Sequence, residues 1–167
     1  MTTRLRPARP DEQAVLAAWR DDTQSPYEDF SGPAAPGTEH AGRVPPPAGG
    51  GELVVTDDDD RLLGSVSWHP VLYGPSPGST AYDIGISLRP AARGCGHGWR
   101  AQRLLADYLF ATTPVHRVQA STDVSNAAEQ RALARAGFVR EGVVRQAQWR
   151  QGAHHDLILF SRLRTDD

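Results

Sequence analysis

Arg93-Gly94-Cys95-Gly96-His97-Gly98 places three glycines within six residues. Glycines leave backbone N–H groups uncovered by side chains, and Leu104, Leu105, Tyr108 and Leu109 follow at helical spacing. A glycine loop that opens a helix offers one ligand both free N–H groups and the positive end of the helix dipole. The chemistry implied is capture of a phosphate-bearing ligand over residues 93–98. Two nucleotide loops are excluded by the residues themselves. A dinucleotide fingerprint needs glycine where Trp99 stands, and a phosphate loop needs Gly-Lys-Ser/Thr, which the chain lacks.

Other reactive residue types carry weaker signals. Cys95 is the single cysteine, so an internal disulfide and a multi-cysteine zinc site are both excluded. It reads as a small residue tolerated in a tight turn. Asp57 to Asp60 are four consecutive acids on a hairpin turn. Carboxylates in succession on a turn point apart, so a solvated turn is expected and no metal site. His154-His155 falls on another turn without further ligands at metal spacing. His69, at a strand end beside a loop, could line a pocket. Trp68, Tyr73, Tyr82 and Trp149 could wall one, although aromatic residues on strands usually fill the core.

The elements that must position these residues can be read in order. The chain has 167 residues, 39% of them apolar and 23% charged, which suits one domain over 1–167 with a real core. A net charge of −2 provides no bulk basic field for nucleic acid. No apolar leader and no run of 18 apolar residues is present, so a cytoplasmic protein without a membrane partner is expected. Thr3 to Arg6 reads as a strand. Asp11 is placed to N-cap a helix carrying Ala14, Val15, Ala17, Ala18 and Trp19.

The segment 21–51 is rich in proline and glycine. It reads as a lid or linker in which Tyr27 and Phe30 pack, as a short helix. Residues 52–56 and 62–69 form a hairpin, 70–78 a loop and 80–88 the strand before the glycine loop. A strand over 116–122, a turn at 123–125, a helix from Asn126 to Ala136, and strands over 138–150 and 153–163 complete the pattern. Gly137 stands where a helix-ending glycine belongs. The fold class is α+β, with a mixed, mostly antiparallel sheet of six to seven strands flanked by helices.

Three ordered segments together resemble the GNAT N-acetyltransferase superfamily. Arg93-x-x-Gly96-x-Gly98 resembles its Q/R-x-x-G-x-G/A acyl-CoA loop. Asp83-Ile84-Gly85-Ile86-Ser87-Leu88 resembles the preceding strand of the branch that acetylates ribosomal-protein N-termini. Asn126-Ala127-Ala128-Glu129 through Ala136-Gly137-Phe138 resembles the same branch's Asn-x-x-Ser…Gly-Phe segment, and Arg145, Trp149 and 156–161 fit its last two strands. The resemblance spans about residues 52–163.

What the resemblance implies is binding of acetyl-CoA as co-substrate, with no metal, and transfer of the acetyl group to a primary amine by direct attack in a ternary complex. The pyrophosphate would lie on the backbone of Arg93, Gly94, Cys95, Gly96, His97 and Gly98. The pantetheine arm would align along Ile86, Ser87 and Leu88 and touch Asn126. Arg131 and Arg135 would reach the 3′-phosphate. Asp83 takes the family's glutamate position as base. Where the family has a serine as acid this chain has Glu129, a poor donor unless its pKa is raised; Ser125 is the nearby substitute. The acceptor is left open between a protein N-terminus and a small amine such as an antibiotic, amino acid or polyamine. A homodimer follows by analogy only. The alternative is an acyl-CoA-binding sensor or partner-binding module without transfer.

Overall fold

The computed structural model describes residues 2–21, 25–38 and 48–166. Its strands are β1 (Arg4–Arg6), β2 (Gly51–Thr56), β3 (Leu62–Leu72), β4 (Thr80–Leu88), β5 (Arg117–Asp123), β6 (Val139–Arg150) and β7 (Ala153–Leu163). Its helices are α1 (Gln13–Asp21), α2 (His97–Thr112) and α3 (Ala127–Arg135). The strands form one sheet in the order β1-β2-β3-β4-β5-β7-β6. Every pairing is antiparallel except β4 with β5. The expected α+β class and sheet size are thus what the chain adopts.

Alternation along the strands divides the sheet's two faces. Val66, Ile84, Val118 and Ala120 point into the main core, where they join Leu105 and Leu109 of α2 and Leu133 of α3. Each of these leucines, fully withdrawn from water, contributes roughly 1.5–3 kcal/mol. Ile86 and Leu88 pack at the margin of the same cluster. Asp83, Gly85 and Ser87 therefore face the opposite side.

The β4–β5 pairing is short. Only Tyr82↔Val118 and Asp83↔Gln119 are in register. β3 holds β4 as far as Leu88, and β7 holds β5 as far as Asp123. Past Asp83 each strand thus follows its outer neighbour, and the two inner edges part. Residues 84–88 present an edge to the gap on the β5 side, the kind of edge to which an extended ligand can add as a further strand.

Three local expectations are corrected. Residues 70–72 belong to β3, with Pro70 opposite Tyr82. β2 reaches no further than Trp68, so β3 is an edge strand here and tolerates proline. The first helix is not capped by Asp11. A 3₁₀ turn over Pro10–Glu12 precedes it, and the Glu12 carboxylate accepts from the Arg9 N–H at 2.7 Å and from the Arg6 guanidinium fork. Residues 25–38 form turns and no short helix; the rest of the expected lid, 22–24 and 39–47, lies outside the described residues. The acidic hairpin turn is wired locally. Asp57 accepts from the N–H groups of Asp59 and Arg61, and Asp60 binds Arg6 and Arg9.

Candidate active site

The glycine loop leaves β4 through a 3₁₀ turn over Pro90–Ala92 and reaches α2 at His97. Gly94 and Gly96 have φ of +72° and +82°, in the left-handed region. A Cβ on Gly96 would come within 2.6 Å of Arg100 Nη1. The Arg100 end can swing aside, so it is the positive φ at both positions that calls for glycine, and the loop's amides lead into the first turn of a 16-residue helix.

Side chains around it are already engaged. Arg93 Nε donates to Leu88 O at 2.8 Å and its guanidinium lies 4.0 Å from Glu28. His97 is buried, with Nδ1 3.0 Å from Thr3 Oγ1, so its imidazole serves the core and only its backbone faces the loop. Cys95 is exposed and its thiol donates to Arg93 O. Arg100 and Arg135 both lie over the Trp99 ring, at 4.7 and 4.5 Å. Arg135 is thereby held beside the loop, while Arg131 stands exposed on α3.

Asp83 sits at the last paired residue before the strands part. Burial pushes its carboxyl above the usual range. Gln119 Nε2, donating to Oδ2 at 3.0 Å, opposes that shift, as do the nearby His69 and Arg117. His69 is its cross-strand partner on β3. Gln119 in turn accepts from Tyr73 Oη at 2.6 Å and from Arg117 Nε at 3.2 Å. Arg117 forks onto Glu141, with both contacts at 2.6 Å, and Ser161 also donates to Glu141 at 2.6 Å.

Across the gap, β5 ends at Asp123 and α3 begins after Asn126. Asn126 Oδ1 accepts from the Glu129 N–H at 3.3 Å and caps the helix. Ser125 is not the cap. Its hydroxyl and its N–H both donate to Asp123 Oδ1, at 2.6 and 2.8 Å. Burial raises the Asp123 carboxyl, but these Ser125 bonds and Arg150 bring it below its ordinary value. Glu129, like Asp83, has its carboxyl raised by burial. Desolvation pushes it up to about 7; a hydrogen bond from Gln102 opposes this and the charge of Glu28 adds to it.

Segment 25–38 is fastened to the tip of the β6–β7 hairpin. Trp149 Nε1 donates to Pro33 O at 3.0 Å, Gln151 Nε2 to Asp29 Oδ2 at 3.0 Å, and Arg150 Nη1 to Tyr27 O at 3.3 Å. Arg150 also pairs with Asp123 at 2.6 Å, both side chains almost fully buried. Tyr27 Oη reaches Ser125 O. Of the aromatic candidates, Trp68 packs edge-on against Tyr108 on the core side, Trp149 serves this fastening, and Tyr73 joins the Asp83 network. Gln119, Gln102 and Glu28 are the residues that sequence reasoning missed. Glutamine on a strand or helix carries no local signal, and their roles exist only through strand register and helix packing.

A parted parallel strand pair, with a glycine loop leading from one strand into a helix, is the geometry of a site for an extended, phosphate-bearing ligand. The chain belongs to the GNAT acetyltransferases: residues 3–139 match the model of the Acetyltransferase (GNAT) domain. Among curated relatives, the probable N-acetyltransferase YjcK of Bacillus subtilis (strain 168) is 35% identical over 107 residues, covering 64% of this chain and 58% of that one. The putative ribosomal N-acetyltransferase YdaF of the same organism is 31% identical over 84 residues, covering 50% and 46%. This chain thus spans about half the length of the curated relatives it matches. The ribosomal-protein-S5-alanine acetyltransferase of Vibrio fischeri superposes with a TM-score of 0.61 at 30% identity, over 69% of this chain and 62% of that one. A spermidine N-acetyltransferase from Vibrio cholerae, solved with CoA and spermine, gives a TM-score of 0.73 over 98% of this chain and 96% of that one. At 18% identity it bears on the fold alone.

Proposed function

We propose that the protein transfers an acetyl group from acetyl-CoA to a primary amine, by direct attack in a ternary complex. The observation that carries this reading is the parting of β4 from β5 immediately after Asp83, with the glycine loop at the far end of the same strand. One strand then serves both partners. Its edge at Ile86, Ser87 and Leu88 suits an extended pantetheine arm, and the amides of 94–98 suit a pyrophosphate, the Arg93 N–H being bonded to Pro90 O within the loop. Asn126 adds a polar side chain across the gap, and Arg135 and Arg131 a positive flank. Family membership supports the same donor.

Asp83 acts as base on the acceptor ammonium, directly or through a water. N–H groups on the open edge near Ile86 would polarise the thioester carbonyl. Holding donor and acceptor together supplies a further share of the rate, out of the roughly 7–11 kcal/mol that effective molarity can provide. Glu129, protonated up to about pH 7, is suited to return a proton to the departing thiolate. Ser125 is less suited, because its hydroxyl proton is engaged by the Asp123 carboxylate. The acceptor is a protein N-terminus or a small amine such as a polyamine; the likeness to ribosomal-protein acetyltransferases supports the former.

Release of free thiol from acetyl-CoA, measured with an Ala-initiated peptide, spermidine and an amino-acid ester, tests the proposal. Turnover with one of these amines, lost in Asp83→Ala, is the expected result. Tight CoA binding without thiol release on any amine, and with no effect of Asp83→Ala, would replace it with the acyl-CoA-binding module.

A further inference from the structure

Among the described residues, Gln119 alone hydrogen-bonds the Asp83 carboxylate, at 3.0 Å, and it is 6% exposed. Its amide has one workable orientation. Oε1 already accepts from Tyr73 Oη and from Arg117 Nε. Turning the amide over would set its NH2 against the Arg117 N–H, donor against donor, and its oxygen against the Asp83 carboxylate, acceptor against acceptor. Arg117 cannot yield to allow the turn, because both its terminal nitrogens are held by Glu141, which Ser161 holds in turn. The parallel register that brings Gln119 beside Asp83 is also the last before the strands part.

We propose that Gln119 is a positioning residue: locked as a donor by Tyr73 and Arg117, it occupies Asp83 Oδ2 and leaves Oδ1 as the oxygen that meets the acceptor. This rests on the reading of Asp83 as the base. It goes beyond that reading by assigning the carboxylate's orientation to the Gln119, Tyr73, Arg117 and Glu141 side chains linked behind it. His69 on β3 and Arg117 on β5 are the charged or titratable groups that face Asp83, with Tyr73 and Glu141 acting through Gln119 and Arg117. None of them replaces the Gln119 donor. The glutamine favours the ionised carboxylate against the burial that disfavours it.

The test reads Asp83 directly, so that it does not depend on finding the acceptor. The protein is labelled with 13C at the aspartate carboxyl carbons, and Asp83 is assigned by the signal lost in Asp83→Asn. Its titration is then followed in wild type, Gln119→Leu, Gln119→Glu and Tyr73→Phe. The midpoint should move to higher pH in Gln119→Leu, which removes the donor. It should move further in Gln119→Glu, which keeps the shape but sets two carboxylates together. Tyr73→Phe, at an exposed side chain, should fold normally and move the midpoint slightly in the same direction.

With an amine that the wild type acetylates, the acidic limb of kcat/KM should follow those midpoints. Gln119→Leu should lose roughly 10- to 100-fold at pH 6, with KM for acetyl-CoA unchanged. An Asp83 midpoint identical in wild type and all folded variants overturns the inference. A shifted midpoint in a protein that acetylates no amine keeps the Gln119–Asp83 coupling and removes the transferase reading instead.

Discussion

Asp83 on β4 and Glu129 on α3 are both carboxyls drawn out of water, and they keep opposite company. Burial raises both. Asp83 has a donor, Gln119, and two basic neighbours, His69 and Arg117, all favouring its charge. Glu129 has one donor, Gln102, and faces the negative charge of Glu28. Its pKa therefore reaches about 7. In the proposed mechanism the first group takes the acceptor's proton and the second returns one to the leaving thiolate. The proposal thus draws a base and an acid from similar side chains whose neighbours differ.

The sharpest break would come from Asp83→Asn. Loss of the proposed base should lower kcat/KM by roughly 10²- to 10⁴-fold while calorimetric CoA affinity stays as in wild type. Wild-type rates from the variant would end the division of roles. Glu129→Gln should cost less, about tenfold in kcat, because a thiolate with a thiol pKa near 8.5 leaves tolerably without help. Its signature is the pH profile: the fall in kcat as pH rises through about 7 should disappear, while the acidic limb stays.

Glu28→Gln sharpens the contrast further. Removing the negative neighbour should bring the Glu129 pKa down, so the alkaline limb moves to lower pH and the Asp83 limb does not move. A profile in which both limbs shift together would mean that the two carboxyls titrate as one system.

The smallest effect is on stability. Glu129 binds its proton more tightly in the folded chain, at about 7 against an ordinary 4.5. The stability this provides is complete below pH 4.5 and is lost as pH rises through about 7. Urea midpoints measured between pH 4.5 and 8 should fall less steeply in Glu129→Gln than in wild type.

Much of the frame was legible along the chain. The helical spacing after Gly98, the hairpin around Asp57 to Asp60, and the glycine after Ala136 each rest on a local rule of backbone or periodicity, and each element lies where that rule places it. The misreadings share a cause. Pro70 looks like the start of a loop until β2 is seen to stop short of it. Asp11 looks like a cap until Glu12 and Arg6 close the entry turn between them.

By itself the sequence determined the order of elements, the backbone-only loop at 93–98 and the family motifs, because these depend on residues within a few positions of one another. The tertiary structure alone decided that β4 and β5 touch at two residues and then part. It also decided that Gln119 lies beside Asp83, 36 positions away, and that Gln102 and Glu28 surround Glu129. Strand register and desolvation depend on what distant segments bring to one place. The charge state of a carboxyl depends on that company more than on its own residue type.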